Sequence, residues 1–131
     1  MKQQITSPKL CPPNGHFSQA TAIEAKGRML FISGMTARAQ DGSITGIGDI
    51  EAQTRQVCEN LKAAVEAGGG TLEDICRVDV YVRNIEHFAA IHKVRREYFD
   101  LPLPASTMVE VAKMVSPEYL IEISAIAVIA E

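Results

Sequence analysis

The stretch YLIEISAIAVI, residues 119–129, decides the fold. Its side chains alternate with the two-residue period of a β-strand. Tyr119, Ile121, Ile123, Ala125, Ala127 and Ile129 form one unbroken apolar face, suited to a cover of helices. The opposite face carries Leu120, Glu122, Ser124, Ile126 and Val128. Glu122 stands out there. A carboxylate inside an apolar stretch is costly unless it is hydrogen-bonded or paired. It is either a structural Glu held by an amide or by an Arg of a neighbouring subunit, or a group placed to move protons.

Outward from this strand, Ser116-Pro117-Glu118 is a turn, and 107–114 is a second strand that reads as its hairpin partner. Further back, 50–67 is helical, because Ile50, Val57, Leu61, Ala64 and Val65 recur on one face. Asp49 is its N-cap and Gly68-Gly69-Gly70 its stop. Residues 76–82 alternate, with Cys76, Val78, Val80 and Val82 on one side and Arg77, Asp79 and Tyr81 on the other. A second helix over 85–99 begins at Asn84, uses Phe88, Ile91, Val94 and Tyr98 as its apolar face, and ends before Pro102 and Pro104. Near the start, 17–25 and 29–33 read as strands around a Lys26-Gly27 turn, after a Pro-rich, extended arm. The predicted architecture is one α+β domain over 1–131, in the order β-β-α-β-α-β-β. Its mixed sheet has five or six strands, with two helices on one face.

Composition narrows the function. The 131 residues fit one domain, and the formal net charge of -3, with no Trp, offers neither a basic groove nor a stacking platform for nucleic acid. Cys11, Cys58 and Cys76 form no CxxC pair and have no His at metal-ligand spacing. They read as free thiols in a reducing compartment, with no metal site. No apolar run approaches membrane-spanning length, and no leader pattern opens the chain, so the expected location is the cytoplasm. No GxGxxG or GxxxxGK[ST] motif is present, so no nucleotide cofactor is expected.

Two helices cover one sheet face only. Ile126 and Val128 then lie on the uncovered face, where burial of each is worth roughly 1.5–3 kcal/mol. A closed ring of identical chains would cover them; loops of the same chain are the alternative. The other candidates are Ser33-Gly34, where Gly allows close approach to a ligand or simply turns the chain, and the hydroxyls of Ser106 and Thr107. Arg38 is either a carboxylate clamp or a plain surface charge. Glu110 is placed to face Glu122 across the hairpin or to lie at a rim. His92 sits at a helix edge, with no triad or metal spacing around it.

Several pieces together, GHFSQA at 15–20, LFISG at 30–34, and LPAS, VEVAK and LIEISAIAV within 103–128, make the chain resemble the RidA/YjgF family of enamine/imine deaminases. The resemblance implies a chorismate-mutase-like fold and a homotrimer with a ligand pocket at each subunit interface. It further implies cofactor-free hydrolysis of a carboxylate-bearing imine or enamine to a keto acid and ammonia. By the same resemblance, Glu122 falls on the glutamate that positions or activates water, and Ser33 and Gly34 line the pocket. Phe17 replaces a common Tyr, His92 a common Asn, and Met108 a common Cys. Ser106 stands where the deaminating members carry Arg, which points to an altered pocket. SGMTAR at 33–38 is also similar to the aminomuconate-deaminase branch and makes Arg38 the substitute cation. The alternative is a non-catalytic ligand-binding or regulatory trimer of the same fold.

Overall fold

The computed structural model describes residues 1–24 and 26–130. Along it run β1 (Gln3–Ile5), β2 (Ala20–Ala22), β3 (Arg28–Met35), α1 (Ile50–Ala67), β4 (Ile75–Val82), α2 (Phe88–Tyr98), β5 (Ala105–Glu110) and β6 (Ile121–Ile129). The α+β class, the mixed sheet and the two helices agree with the sequence reading. The order is β-β-β-α-β-α-β-β, with one strand more than expected, because the N-terminal arm supplies β1. The strands form a four-stranded sheet in the order β3-β6-β4-β5 and a separate ribbon of β1 and β2.

Neither expected hairpin forms. β2 pairs with β1, and β3 pairs with β6. The strand expected over 17–25 shrinks to Ala20–Ala22, and its last residue, Ala25, lies outside the described residues. At the other end, β5 runs parallel to β4, and β6 runs antiparallel to β4 on the opposite side. The chain between β5 and β6 wraps the end of β4. Val111 N–H donates to Val82 O at 2.8 Å, and Arg83 N–H donates to Leu120 O at 3.1 Å. A Ser-Pro-Glu turn fixes a local reversal but not the strand that receives the chain afterwards. The long apolar face of β6 decides that. Ile121, Ile123, Ala125 and Ala127 are all buried, as a strand with neighbours on both sides allows.

α1 keeps the bounds its capping residues dictate. Asp49 Oδ1 accepts from Ala52 N–H at 3.1 Å, and Gly68 closes the last turn with bonds back to Ala64 and Val65. Val57, Cys58, Leu61 and Val65 bury its sheet-facing stripe. Gln53 joins them although it is polar. Its Nε2 donates to Glu118 O at 2.8 Å, and its Oε1 accepts from Leu120 N–H at 2.9 Å, so it stands in for backbone beside Tyr119 and fixes where β6 begins.

β4 begins one residue earlier than expected, and its alternation breaks at Cys76. The register steps from Ile75–Ala127 to Arg77–Ile126, leaving Cys76 as a bulge. Ile75 takes the buried place, while Cys76 is half-buried and its Sγ lies 3.3 Å from Ile126 O. α2 is preceded by a single 3-10 turn at Ile85–His87, capped by Asn84. Its buried residues are Ile91, His92, Val94 and Arg95. His92 therefore belongs to the interior rather than to a helix edge.

Candidate functional site

A bulge places the central feature of the site. Between Ile32–Ala125 and Met35–Ile123, β3 advances three residues while β6 advances two. Ser33 and Gly34 occupy this irregular step and are exposed. The Glu122 carboxylate fills the space above Gly34. A Cβ on Gly34 would fall 2.8 Å from Glu122 Cδ, and closer still to Oε2. Only glycine leaves room for the carboxylate to lie against the neighbouring strand.

Glu122 is paired in register with Tyr81 on β4, so both point from the face that the helices leave uncovered. Together with Gly34, Ser124, Val111, Lys113, Met114 and Val115 they line a cleft of about 660 Å³. The cleft joins a carboxylate, a phenol, a hydroxyl and a primary amine on an otherwise apolar wall. Lys113 and Tyr81 were missed by sequence reading. Tyr81 lay in view, on the polar side of an alternating strand. Lys113 enters because the segment after β5 wraps β4, which no local pattern announces.

The remaining candidates divide between two places. Thr107 is on the same open face as the cleft, but its Oγ1 already accepts from Arg77 Nη2 at 2.8 Å, in a cluster with Asp79. Ser106 and Met108 pair with Val78 and Val80 and so face the helices. Met108 packs against the core. Ser106 Oγ lies 3.2 Å from Arg95 Nη1. His92 is buried in the same layer. Its Nδ1 accepts from His16 N–H at 3.1 Å, and its ring stacks at a tilt on Phe88, with centroids 4.3 Å apart. Burial, then the charges of Arg95, Arg96 and His16, push its pKa down to about 4, so the ring is neutral near pH 7. Phe17 is half-buried in the arm next to His16.

Arg38 stands apart. It is exposed, bridges to Ile44 through its backbone, and is not among the residues lining the cleft. Glu110 does not meet Glu122 across a hairpin. Its Oε1 accepts from Ile85 N–H at 3.0 Å and ties β5 to the start of the second helical segment. Among the described residues no group of His, Cys, Asp and Glu is arranged to hold a metal ion, and no helix is long and apolar enough to cross a membrane.

The family model described as Endoribonuclease L-PSP matches residues 8–129. A RutC family protein of Pyrococcus horikoshii is 43% identical over 128 residues, covering 97% of this chain and 98% of its own. A protein of Dermatophagoides farinae named 2-iminobutanoate/2-iminopropanoate deaminase is 33% identical over 128 residues, covering 98% of this chain and 97% of its own. Among solved structures, a protein of the conserved Rid family from Yersinia pestis superposes with a TM-score of 0.89 at 32% identity, covering 98% of each chain. From the matched length, these identities and the shared architecture, the chain belongs to the RidA/YjgF family.

Proposed function

We propose that the Glu122 cleft hydrolyses a carboxylate-bearing imine or enamine, releasing ammonia and a keto acid, without a cofactor. The observation that carries this reading is the Glu122 carboxylate, held over Gly34 in a cleft that also holds Tyr81, Ser124 and Lys113. Glu122 takes a proton from water as the water oxygen bonds to the imine carbon and the C=N pair moves to nitrogen. Glu122 hands that proton to the nitrogen, giving a carbinolamine and restoring the carboxylate. Glu122 then takes the carbinol O–H proton as C=O forms and passes it to the nitrogen, so that the C–N bond breaks with its pair going to nitrogen and ammonia leaves. Lys113 is the cation nearest to hand for the substrate's own carboxylate. A long, unsaturated substrate such as 2-aminomuconate suits an open cleft whose cation is the Lys113 amine rather than a guanidinium. The relative named as a 2-iminobutanoate/2-iminopropanoate deaminase supports the reaction class.

The cleft opens on the uncovered sheet face, beside Met29 and Phe31, which are 57% and 69% exposed. Apolar side chains so placed call for a partner surface. A homotrimer that closes each cleft with a neighbouring subunit is part of the proposal, and the cytoplasm is its proposed location.

The test is to generate 2-aminoacrylate in situ with a dehydratase and follow keto-acid release with and without the protein, then to repeat with 2-aminomuconate. Acceleration lost in Glu122→Ala is the expected result. Acceleration unchanged by that substitution would sink the assignment of Glu122. No acceleration on either substrate favours the second reading, a non-catalytic ligand-binding trimer, which rests on Ser106.

A further inference from the structure

The Glu122 cleft has two walls of different build. Tyr81, Glu122 and Ser124 stand on paired strands. Lys113, Met114 and Val115 belong to the segment that wraps the end of β4 between β5 and β6. The ends of that segment are tied down. Val111 N–H donates to Val82 O at 2.8 Å. At the far end Gln53 holds Glu118 and Leu120, Arg83 N–H donates to Leu120 O, and Tyr119 is buried between them. Between these anchors, among the described residues, 112–117 make only two hydrogen bonds, and both close a local turn. Glu118 N–H donates to Ser116 Oγ at 3.3 Å, and Tyr119 N–H donates to Ser116 O at 3.2 Å. A segment fixed at both ends and loosely held in the middle can move as a strap.

Its side chains suit closing on a ligand. Val115 is 96% exposed although it lines the cleft, and Met114 beside it is half-buried. An apolar side chain at the mouth of a polar cleft gains burial only when apolar matter enters beneath it. Lys113 is exposed, and the ion pairs among the described residues lie elsewhere, on Arg55, Arg77 and Lys93. The Glu122 carboxylate repels an incoming carboxylate, so that group goes to the opposite wall, to the Lys113 ammonium. The imine carbon then faces Glu122.

We propose that residues 112–117 form a strap that closes over the Glu122 cleft and selects its substrate, Lys113 pairing with the carboxylate while Met114 and Val115 cover a carbon chain longer than a methyl group. The inference rests on the reading of this cleft as the reaction site. A three-carbon acid satisfies Lys113 but leaves Val115 in water, so it closes the strap weakly. A longer chain closes it fully and shuts out bulk water, leaving the molecule that Glu122 activates.

The test uses keto acids, the product class, in ammonia-free buffer, so that no turnover is needed. Pyruvate and 2-oxohexanoate are titrated by calorimetry, and hydrogen exchange over 112–117 is followed by mass spectrometry. 2-Oxohexanoate should bind more tightly than pyruvate and, at saturation, slow that exchange by about 10-fold, as expected if the open form falls to a tenth. Val115→Ser should narrow the preference for 2-oxohexanoate over pyruvate by about 10-fold, and Lys113→Met should weaken both keto acids by about 10-fold. Both side chains are exposed, so neither variant threatens the fold. Exchange over 112–117 unmoved by 2-oxohexanoate would overturn the strap, as would exchange already slow without it, which would mark a segment held shut by a neighbouring subunit. An unaltered preference in Val115→Ser, or binding of neither keto acid, would overturn the selection. Glu122→Gln should still show ligand-dependent closure, so failure of the strap and failure of the deaminase reading are separate results.

Discussion

The carboxylate of Glu122 lies against the backbone of Gly34, on the neighbouring strand, in space that a single methyl group would occupy. The two residues act as one unit. Gly34→Ala should leave the fold intact, because its φ is not in the left-handed region and the obstructed atoms are the far end of a side chain. It should displace the carboxylate and lower keto-acid release by about 100-fold, within the span of general-base contributions. Combined with Glu122→Gln it should add little further loss. Additive losses in the steady-state rates of the double variant would separate the two residues.

Gln53 offers a prediction about stability instead. It satisfies two backbone groups flanking Tyr119 from inside the core. Gln53→Leu keeps the bulk but leaves Glu118 C=O and Leu120 N–H without partners. The expected cost is about 2–4 kcal/mol, two lost bonds plus the orphaned groups, read from urea unfolding. A loss below 1 kcal/mol would mean that β6 does not need this anchor.

What the sequence made legible follows from how local each signal is. α1 was readable to its ends because Asp49 and Gly68 act within one turn of the helix they bound. Glu122 could be singled out because a carboxylate in LIEISAIAVI conflicts with its neighbours, and it lies in the cleft beside Gly34. The placement of β6 between β3 and β4 was not, since the turn at Ser116-Pro117-Glu118 is the same whichever strand receives the chain. Cys76 was misplaced by one residue because a bulge interrupts a pattern without changing its composition. Tyr81 and Lys113 join Glu122 only through register and a wrapped loop. Arg95 adjoins Arg96 in the sequence, and its charge masks its place in the core. Its spacing from Ile91, four residues away, was the signal that it lies on the buried stripe.

His92 sets a pH dependence. Folding lowers its pKa to about 4 from an ordinary 6.5, chiefly through burial and then through Arg95, Arg96 and His16. Between those values the unfolded chain binds a proton that the folded chain refuses. Stability from this residue is therefore complete above about pH 6.5 and is lost as pH falls towards 4, by up to about 3 kcal/mol. His92→Gln should flatten that part of the curve. Equal urea midpoints for the variant and the parent at pH 7 and at pH 4.5 would remove His92 as the cause.

Phe31 tests the association. It is 69% exposed on β3, opposite Ile126 and beside Met29 on the same open face. In sedimentation equilibrium the parent should behave as a trimer, and Phe31→Glu as a monomer that keeps its far-ultraviolet dichroism. A variant with the mass of the parent would place the contact elsewhere.

The thiols should react in the order of their exposure. Cys11 is exposed, Cys76 half-buried, and Cys58 buried with a pKa pushed to about 12. With a disulfide reagent at pH 8, Cys11 should react in the first phase. Cys58 should react only at the rate of unfolding. A fast Cys58 would mean that α1 and α2 separate readily.

β3 and β4 do not pair with each other; both hydrogen-bond to β6, which follows them in the chain. During synthesis at the ribosome, residues up to Glu110 can therefore form α1, α2 and the parallel β4–β5 pair, but not the sheet that joins them. The two halves wait with their inner edges bare until β6 arrives to fill the gap. Pairing so distant in sequence is slow. A nascent chain stalled before residue 121 should accordingly be open to proteolysis and prone to associate with its neighbours, and one extended past residue 129 and clear of the exit tunnel should resist both.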